Sequence, residues 1–272
     1  MDGLLRHMRE VKDKWLFRKG ILTKKVEFYD SRVQVADKNG GPVIVYDPTT
    51  GESLLSTYPV QFVEDFLGAA GGGPFNGSTI WHVVDVGSAT EAIVDDSSNG
   101  QFLLHLAANN EAQDAVLYHG DNKTFDVGNG LIFEARVNMA VAPGTGVCAV
   151  FGMAGNHNLD KDSVTEAAWF RFDASLVCKV ETDDTTNNND DVATGHTAVA
   201  GTYDVYRIDF TDLTDVKFFI NGTRVAASTT FDMSNLTAAE QQMQPYFSLD
   251  KASGTGLGDM NIDYVKIYSK RS

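Results

Sequence analysis

Two carboxylates of one predicted strand, Glu181 and Asp183, have a spacing that could support catalysis. Alternate residues of a strand share a face, and two carboxylates about 5 Å apart can act as nucleophile and acid/base on a glycosidic bond. No third acid follows them in register, and a chain this acidic contains such pairs by chance. The spacing therefore favours a solvated strand end that continues into a loop.

Histidine and glycine patterns predict no metal site and no cofactor. The stretches 71–73 and 254–258 are glycine-rich but lack the context of phosphate-binding loops. Residues 160–162 and 183–191 could offer hard oxygens to calcium, but neither has EF-hand spacing, so solvated acidic loops are favoured. The histidines lack the spacing of a metal pair or a nucleophile-base motif: His82, His105, His119, His157 and His196.

Charge is distributed unevenly along the 272 residues, which carry a formal net charge of −15. Residues 1–38 contain ten Lys and Arg against six Asp and Glu, whereas residues 39–272 contain twelve against thirty-one. An acidic body repels phosphate backbones and anionic lipids. We therefore expect no nucleic-acid partner and no membrane partner.

The chain shows no secretory signal and no apolar run of about eighteen residues that could span a bilayer. The expected compartment is therefore a cytoplasm. Cys148 and Cys178 each lie inside an apolar run. Buried free thiols are expected at both positions.

Alternation of apolar and polar residues predicts strands from residue 75 onward. Residues 131–139, "LIFEARVNM", alternate with period two. Residues 202–228 hold two alternating runs and a third after Asn221-Gly222, a dipeptide suited to a type I′ hairpin. At least eight strands can be counted without a convincing helix. An all-β fold of two sheets, a curved jelly-roll sandwich, is predicted.

The hairpin "FFINGTRV", the end strand "IDYVKIY" and the segment "FEARVNMAVAPGTGVCAVFGMAG" resemble the concanavalin A-like jelly roll of lectins, laminin-G-like domains and laminarinase-type glycoside hydrolases. This resemblance implies a catalytic strand of the form E-x-D-x-x-E or E-x-D-x-E. The corresponding strand here is "TEAAWFRFD", where Glu166 holds the first place, Ala168 holds the Asp place, and Phe170 or Arg171 holds the final Glu place. The resemblance therefore implies no catalytic residue, and the protein is predicted not to be an enzyme.

Residues 1–74 are predicted to form an anchoring arm with a glycine-rich linker at 68–74, ahead of a sandwich over 75–272. Helical spacing within residues 4–19 predicts a short helix ending near Gly20. The arm would dock on an acidic partner through apolar anchors and cations; packing back on its own sandwich is the alternative. The predicted partner-binding residues are Leu4, Met8, Val11, Trp15, Phe17, Arg18, Lys19, Lys24 and Lys25.

A jelly roll without catalytic acids that carries an anchoring arm resembles modules of tailed-bacteriophage virion proteins. The resemblance implies a capsid decoration or cement protein of the virion, assembled in the host cytoplasm, with the major capsid protein as partner. A homo-oligomer is expected, and a trimer is compatible with it. One alternative is a lectin-like module that binds glycans, with Trp81 or Trp169 as a stacking platform. Another is a β-glucanase with unrecognised acids.

Overall fold

The computed structural model describes residues 8–11, 14–17, 42–68 and 80–271, and the chain divides into two compact units, residues 1–35 and 36–272. In the first unit, β1 (Met8–Val11) pairs antiparallel with β2 (Lys14–Phe17), with Met8 opposite Phe17. The helix predicted over residues 4–19 is therefore wrong. Short apolar runs fit helical and extended patterns equally, and the aromatic and β-branched residues of this run favour strands.

The second unit consists almost entirely of strands. Within its described residues no α-helix occurs, and two short 3-10 helices cover Val127–Asn129 and Lys161–Ser163. The strands are β3 (Ile44–Tyr46), β4 (Ser53–Ser56), β5 (Val60–Glu64), β6 (His82–Val86), β7 (Thr90–Ile93), β8 (Phe102–Leu106), β9 (Gln113–Tyr118), β10 (Phe125–Asp126), β11 (Ile132–Val141), β12 (Val147–Ala154), β13 (Glu166–Asp173), β14 (Val177–Asp184), β15 (Asn188–Thr197), β16 (Asp204–Asp209), β17 (Lys217–Ile220), β18 (Thr223–Val225), β19 (Gln242–Lys251) and β20 (Gly258–Ser269).

Two large antiparallel sheets form the predicted sandwich, which is confirmed. The front sheet has the strand order β15-β14-β13-β12-β19-β9-β6, with β10 beside β19. The back sheet has the order β18-β17-β16-β11-β20-β8-β7, with β5 beside β20. Chain neighbours such as β12 and β13 are adjacent, whereas β19 lies between β12 and β9, which are distant in sequence.

Aromatic side chains fill the space between the sheets. Phe151 stacks on Phe170 with ring centroids 5.6 Å apart, and it meets the ring of Tyr206 edge-on at 4.8 Å. All three side chains are buried. Because alternate residues point to opposite faces, every second side chain of the central strands faces outward, away from this core.

The predicted Asn-Gly hairpin is present, and the polar tract after β14 differs from its prediction. Asn221 and Gly222 have φ angles of 49° and 76° between β17 and β18, as a type I′ turn requires. Residues 183–191, predicted as a solvated acidic loop, instead end β14 at Asp184, turn at Thr185 and begin edge strand β15 at Asn188. A strand at a sheet edge needs little apolar content, so composition alone missed it.

Residues 42–68 pack on the back sheet. Strand β5 pairs with β20, and Glu134 of β11 accepts hydrogen bonds from Ser53. This division at residues 35 and 36 differs from the boundary placed at residue 74. Residues 42–68, predicted as part of the arm, instead pair and pack with the sandwich.

Among the described residues, no helix is both long and apolar enough to cross a membrane. Both cysteines are free, as predicted; Cys178 is buried and Cys148 is half-buried.

Candidate functional site

The outer face of the front sheet combines aromatic and charged side chains. Along β13, Ala168, Phe170 and Phe172 point into the core, so Trp169 and Arg171 point outward. Trp169 belongs to a second apolar cluster on this outer face, together with Tyr246 of β19. The outer face of the front sheet therefore carries an aromatic cluster of its own, separate from the core.

A small, shallow cleft opens on this face where β13, β14 and β15 run side by side. It is mostly polar, and four of its lining residues are acids. Trp169 and Glu181 form its inner part, and Asp183, Asn188 and Asp190 lie nearer its rim. The remaining lining residues are Lys161, Asp162, Val164, Ala167 and Thr182.

Glu181 is a buried carboxylate with three hydrogen-bond donors. Its Oε2 accepts from Trp169 Nε1 at 2.8 Å and from Arg171 at 3.2 Å, and its Oε1 accepts from the backbone N–H of Asp191 at 3.2 Å. Burial nevertheless raises the pKa of Glu181, and these donors and the Arg171 charge reduce the rise. The carboxylate is therefore held in one orientation beside the indole ring.

Asp183, two residues further along β14, lies beside the same cleft. Partial burial raises its pKa, and the nearby carboxylates Asp184, Asp190 and Glu166 raise it further, while a hydrogen bond from Thr185 opposes the shift. Glu181 and Asp183 share one face of β14. The pair that the sequence favoured as a solvated strand end is thus part of a cleft with one buried and one accessible carboxyl group.

Glu166 does not join this pair. It starts β13 opposite Asp184 and does not line the cleft. The carboxylate of Asp184 is engaged elsewhere, because it accepts hydrogen bonds from Asn187 and Asn235. Of the two glutamates that the sequence offers for hydrolysis, Glu181 lines the candidate site and Glu166 does not.

The two tryptophans considered as stacking platforms are both buried. Trp81 is 1% exposed and Trp169 is 2% exposed. Trp169 is on the outer face rather than in the core, but its ring is covered. Accessible aromatic groups of this face include His82, which is exposed, and Tyr118 and His157, which are half-buried; the His82 and Tyr118 ring centroids are 6.5 Å apart.

The acidic stretches considered for calcium have other contacts. Asp160 caps the 3-10 helix Lys161–Ser163 by accepting from the Asp162 N–H and the Ser163 hydroxyl, and Asp162 pairs with Arg171. Within the described part of the chain, no group of three or more His, Cys, Asp or Glu residues is placed to hold a metal ion.

The predicted arm residues divide between described and undescribed segments. Met8 and Val11 are in β1, and Trp15 and Phe17 are in β2. The other five lie outside the described residues: Leu4, Arg18, Lys19, Lys24 and Lys25.

Sequence reasoning missed several residues of this face. Asp114 comes from β9, Ser248 and Asp250 come from β19, and Arg171 comes from β13. Ser248 Oγ donates to Asp114 at 3.0 Å across 134 residues of sequence. No local motif marks them, because strand adjacency alone brings them together.

Comparison with known proteins identifies the fold but not a family. No protein family model and no curated protein matches the sequence. Among solved structures, a protein of unknown function from Shewanella oneidensis MR-1 is similar, with a TM-score of 0.54, 10% identity and coverage of 77% of this chain and 86% of that one. A GH16 protein of Bacteroides ovatus in complex with the mixed-linkage glucan product G4G4G3G has a TM-score of 0.53 and 14% identity, covering 76% and 99%.

A third similar structure, from endo-acting O-glycanases that members of the human gut microbiota express to initiate mucin breakdown, has a TM-score of 0.50 and 11% identity, covering 77% of this chain and 99% of that chain. At these identities the likeness shows the fold, which is the concanavalin A-like jelly roll predicted from the sequence. None of these structures provides a link to virions.

The prediction that the protein is not an enzyme is wrong. It depended on the acids missing from β13, but the fold is shared with GH16 glycanases. The neighbouring strand β14 also places Glu181 and Asp183 on one face beside the cleft. The absence of acids from a single strand does not exclude hydrolysis.

Proposed function

We propose that the protein binds a glycan in the cleft between β13, β14 and β15. The observation that carries this proposal is the composition of the rim, where Asp183, Asn188 and Asp190 surround an opening beside the Trp169 indole. Carboxylate and amide groups pair with sugar hydroxyls, which both donate and accept hydrogen bonds. The fold that this chain shares with glycanases supports the proposal by analogy.

A glycan array followed by calorimetric titration tests this function. Asp183→Asn combined with Asn188→Ala removes two hydrogen-bonding groups of the rim, and we expect about a tenfold or greater loss of affinity. Asp85→Asn is the matched control, because Asp85 is exposed on β6, at the opposite edge of the same sheet. Equal binding by the rim variant and the control would contradict this site.

Hydrolysis is a second candidate function, favoured by the positions of Glu181 and Asp183 on one strand face. Burial raises the pKa of both carboxyl groups; Trp169 and Arg171 oppose the rise at Glu181, whereas nearby carboxylates add to it at Asp183. A glycosidase of this type uses one carboxyl group as nucleophile and the other as general acid. Hydrolysis of laminarin or lichenan that disappears in Glu181→Gln would support it; equal rates in wild type and variant would exclude this pair.

Capsid decoration, with the major capsid protein as partner and the virion as location, stays a prediction from the sequence. Its support is the basic segment 1–38 ahead of an acidic body. Because Ser53 and β5 pack on the sandwich, the informative deletion removes residues 1–35 and not residues 1–74. Co-sedimentation with capsid-sized particles that is lost on this deletion would support the role, and a soluble full-length chain would refute it.

A further inference from the structure

Residues 155–165 connect β12 to β13 and cross the middle of the outer face of the front sheet. We call them the crossing loop. Val164 packs with the rings of Trp169 and Tyr246, whose centroids are 6.1 Å apart. Lys161 meets the carboxylate of Asp114, a residue that pairs with Asp250 across the sheet. The crossing loop thus covers a floor of aromatic and acidic side chains, which adjoins the proposed glycan cleft through Trp169.

Polar contacts hold most of the crossing loop in place. Lys161 is 3% exposed, and its Nζ lies 3.4 Å from both carboxylate oxygens of Asp114 and 3.0 Å from the Asn158 carbonyl oxygen. His157 Nδ1 lies 2.7 Å from the Tyr246 hydroxyl, and the His157 N–H donates to Asp121. Lys161 and His157 both face Asp114, and Lys161 lies closer: its Nζ is 3.4 Å from Asp114 Oδ2, whereas His157 Nε2 is 3.8 Å away.

Apolar anchoring of the crossing loop is small. Val164 is buried in the outer cluster with Trp169 and Tyr246, but Leu159, the other aliphatic side chain of the loop, is 60% exposed. Because its other contacts are polar, the loop has less buried apolar area to lose on opening than a core strand.

The floor beneath the crossing loop lacks complete internal pairing. The Oδ1 atom of Asp250 is buried and has no hydrogen-bond partner. Burial raises the pKa of Asp250 to about 7, opposed by the Lys161 charge. Buried polar groups normally have partners, and the carboxyl group of Asp250 would gain them from water or from sugar hydroxyls if the loop moved away.

We propose that the crossing loop is a lid, latched by Lys161 on Asp114, over a glycan-binding floor that extends the cleft across the sheet. This inference depends on the proposed glycan function and deepens it. A short sugar occupies the open cleft, and a longer chain needs the lid to be displaced. An open state populated at about 1–10% reduces the apparent affinity for the longer chain by the same fraction.

Lys161→Met tests the latch, because it removes the ammonium and keeps an unbranched side chain. Lys179→Met is the matched control, since Lys179 pairs with Asp173 and Asp191 on the same sheet but does not contact the crossing loop. Hydrogen exchange of the full-length protein measures lid opening at the amides of residues 155–165. Titrations with laminaribiose and laminarihexaose measure the affinity ratio of long to short ligand.

The lid predicts two changes in Lys161→Met and neither in Lys179→Met. Exchange within residues 155–165 increases by about tenfold or more, and the affinity ratio of hexasaccharide to disaccharide rises by a similar factor. Unchanged exchange in Lys161→Met would overturn the lid. Faster exchange with an unchanged affinity ratio would show that the covered floor does not bind glycan.

The experiments distinguish a failure of glycan binding from a failure of the latch. If neither wild type nor variant binds any sugar on the array, glycan binding fails, and the exchange data still decide whether Lys161 latches the loop. Asp114→Asn is the second variant, which weakens the latch from the other side and keeps the hydrogen bond to Ser248 possible. If Lys161→Met does not fold, faster exchange of residues 155–165 in Asp114→Asn supports the latch, and unchanged exchange overturns it.

Discussion

Both outer faces of the sandwich carry buried carboxylates covered by a further segment, which is residues 42–68 on the back sheet and the crossing loop on the front sheet. The hydrogen bonds made by these carboxylates differ between the two faces. On the back sheet, Glu134 is fully buried and accepts from the Ser53 hydroxyl at 2.7 Å, the Ser53 N–H at 3.0 Å and the Tyr264 hydroxyl at 3.1 Å. On the front sheet, Asp114 meets Lys161 at 3.4 Å, and Asp250 keeps one oxygen without a partner.

This difference implies that the contacts of Glu134 fix the segment that covers it, whereas the contacts of Asp114 allow the crossing loop to move. A buried carboxylate with short bonds fixes its covering segment, because breaking the contact exposes several donors at once. Long contacts and a missing partner make the covering loop easier to displace. The back face therefore holds residues 42–68 in place, and the front face is the one suited to a ligand.

The largest effect is expected from Glu134→Gln. The amide cannot accept from all the donors around it and brings an N–H group towards them, so the variant should lose about 3 kcal/mol of unfolding free energy. Asp114→Asn on the front face should lose about 1 kcal/mol, because its contacts with Lys161 are long and the loop can move. Urea denaturation of both variants checks this order, and equal losses would break the comparison.

Acid should lower the unfolding free energy of the sandwich, because His119 is buried in its interior. Its ring is buried, neither nitrogen has a hydrogen-bond partner, and Trp81 and Phe62 pack against it with centroids 4.6 Å and 5.6 Å away. Burial lowers the pKa of His119 from 6.5 to about 4, and His82 contributes to the same shift. Between pH 6.5 and about 4, His119 is therefore protonated in the unfolded chain and neutral in the folded chain.

The stability contributed by neutral His119 is complete above pH 6.5 and is lost as the pH falls to about 4. This loss amounts to about 3 kcal/mol. His119→Phe should remove that part of the pH dependence, as measured by urea denaturation at several pH values. A variant with the same acid sensitivity as wild type would assign the loss to other groups.

A smaller effect is expected from Ser53→Ala on the back face. The variant keeps the backbone N–H donor to Glu134 but removes the hydroxyl donor, which lies in a buried site. The expected loss is about 1 kcal/mol in thermal or urea unfolding. A loss as large as that of Glu134→Gln would mean that the hydroxyl alone holds the 42–68 segment.

The smallest effect is expected from Asp162→Ala on the front face. Asp162 pairs with Arg171, but its side chain is 70% exposed, so water screens the pair. We expect a change in unfolding free energy of less than about 1 kcal/mol. A loss above that would show that the crossing loop is fixed more firmly than its contacts indicate, which would weaken its contrast with the back face.

Local patterns determined the fold class of this protein. Period-two alternation in residues 131–139 separates core residues from outward residues, and Asn221-Gly222 specifies its hairpin through positive φ angles. These signals are local, because they depend on side chains and turns within a few residues. The 4–19 segment shows the limit of such patterns, since a short apolar run fits a helix and a strand equally well.

Tertiary structure alone decided the candidate site. The sequence contains Glu181-x-Asp183, but only the neighbouring strands show that the pair borders a cleft beside Trp169. It likewise contains Asp114 and Lys161, separated by 47 residues, without any sign that they meet. Their proximity follows from the order of strands in the front sheet, which is set by long-range burial of the core and leaves no local trace in the sequence.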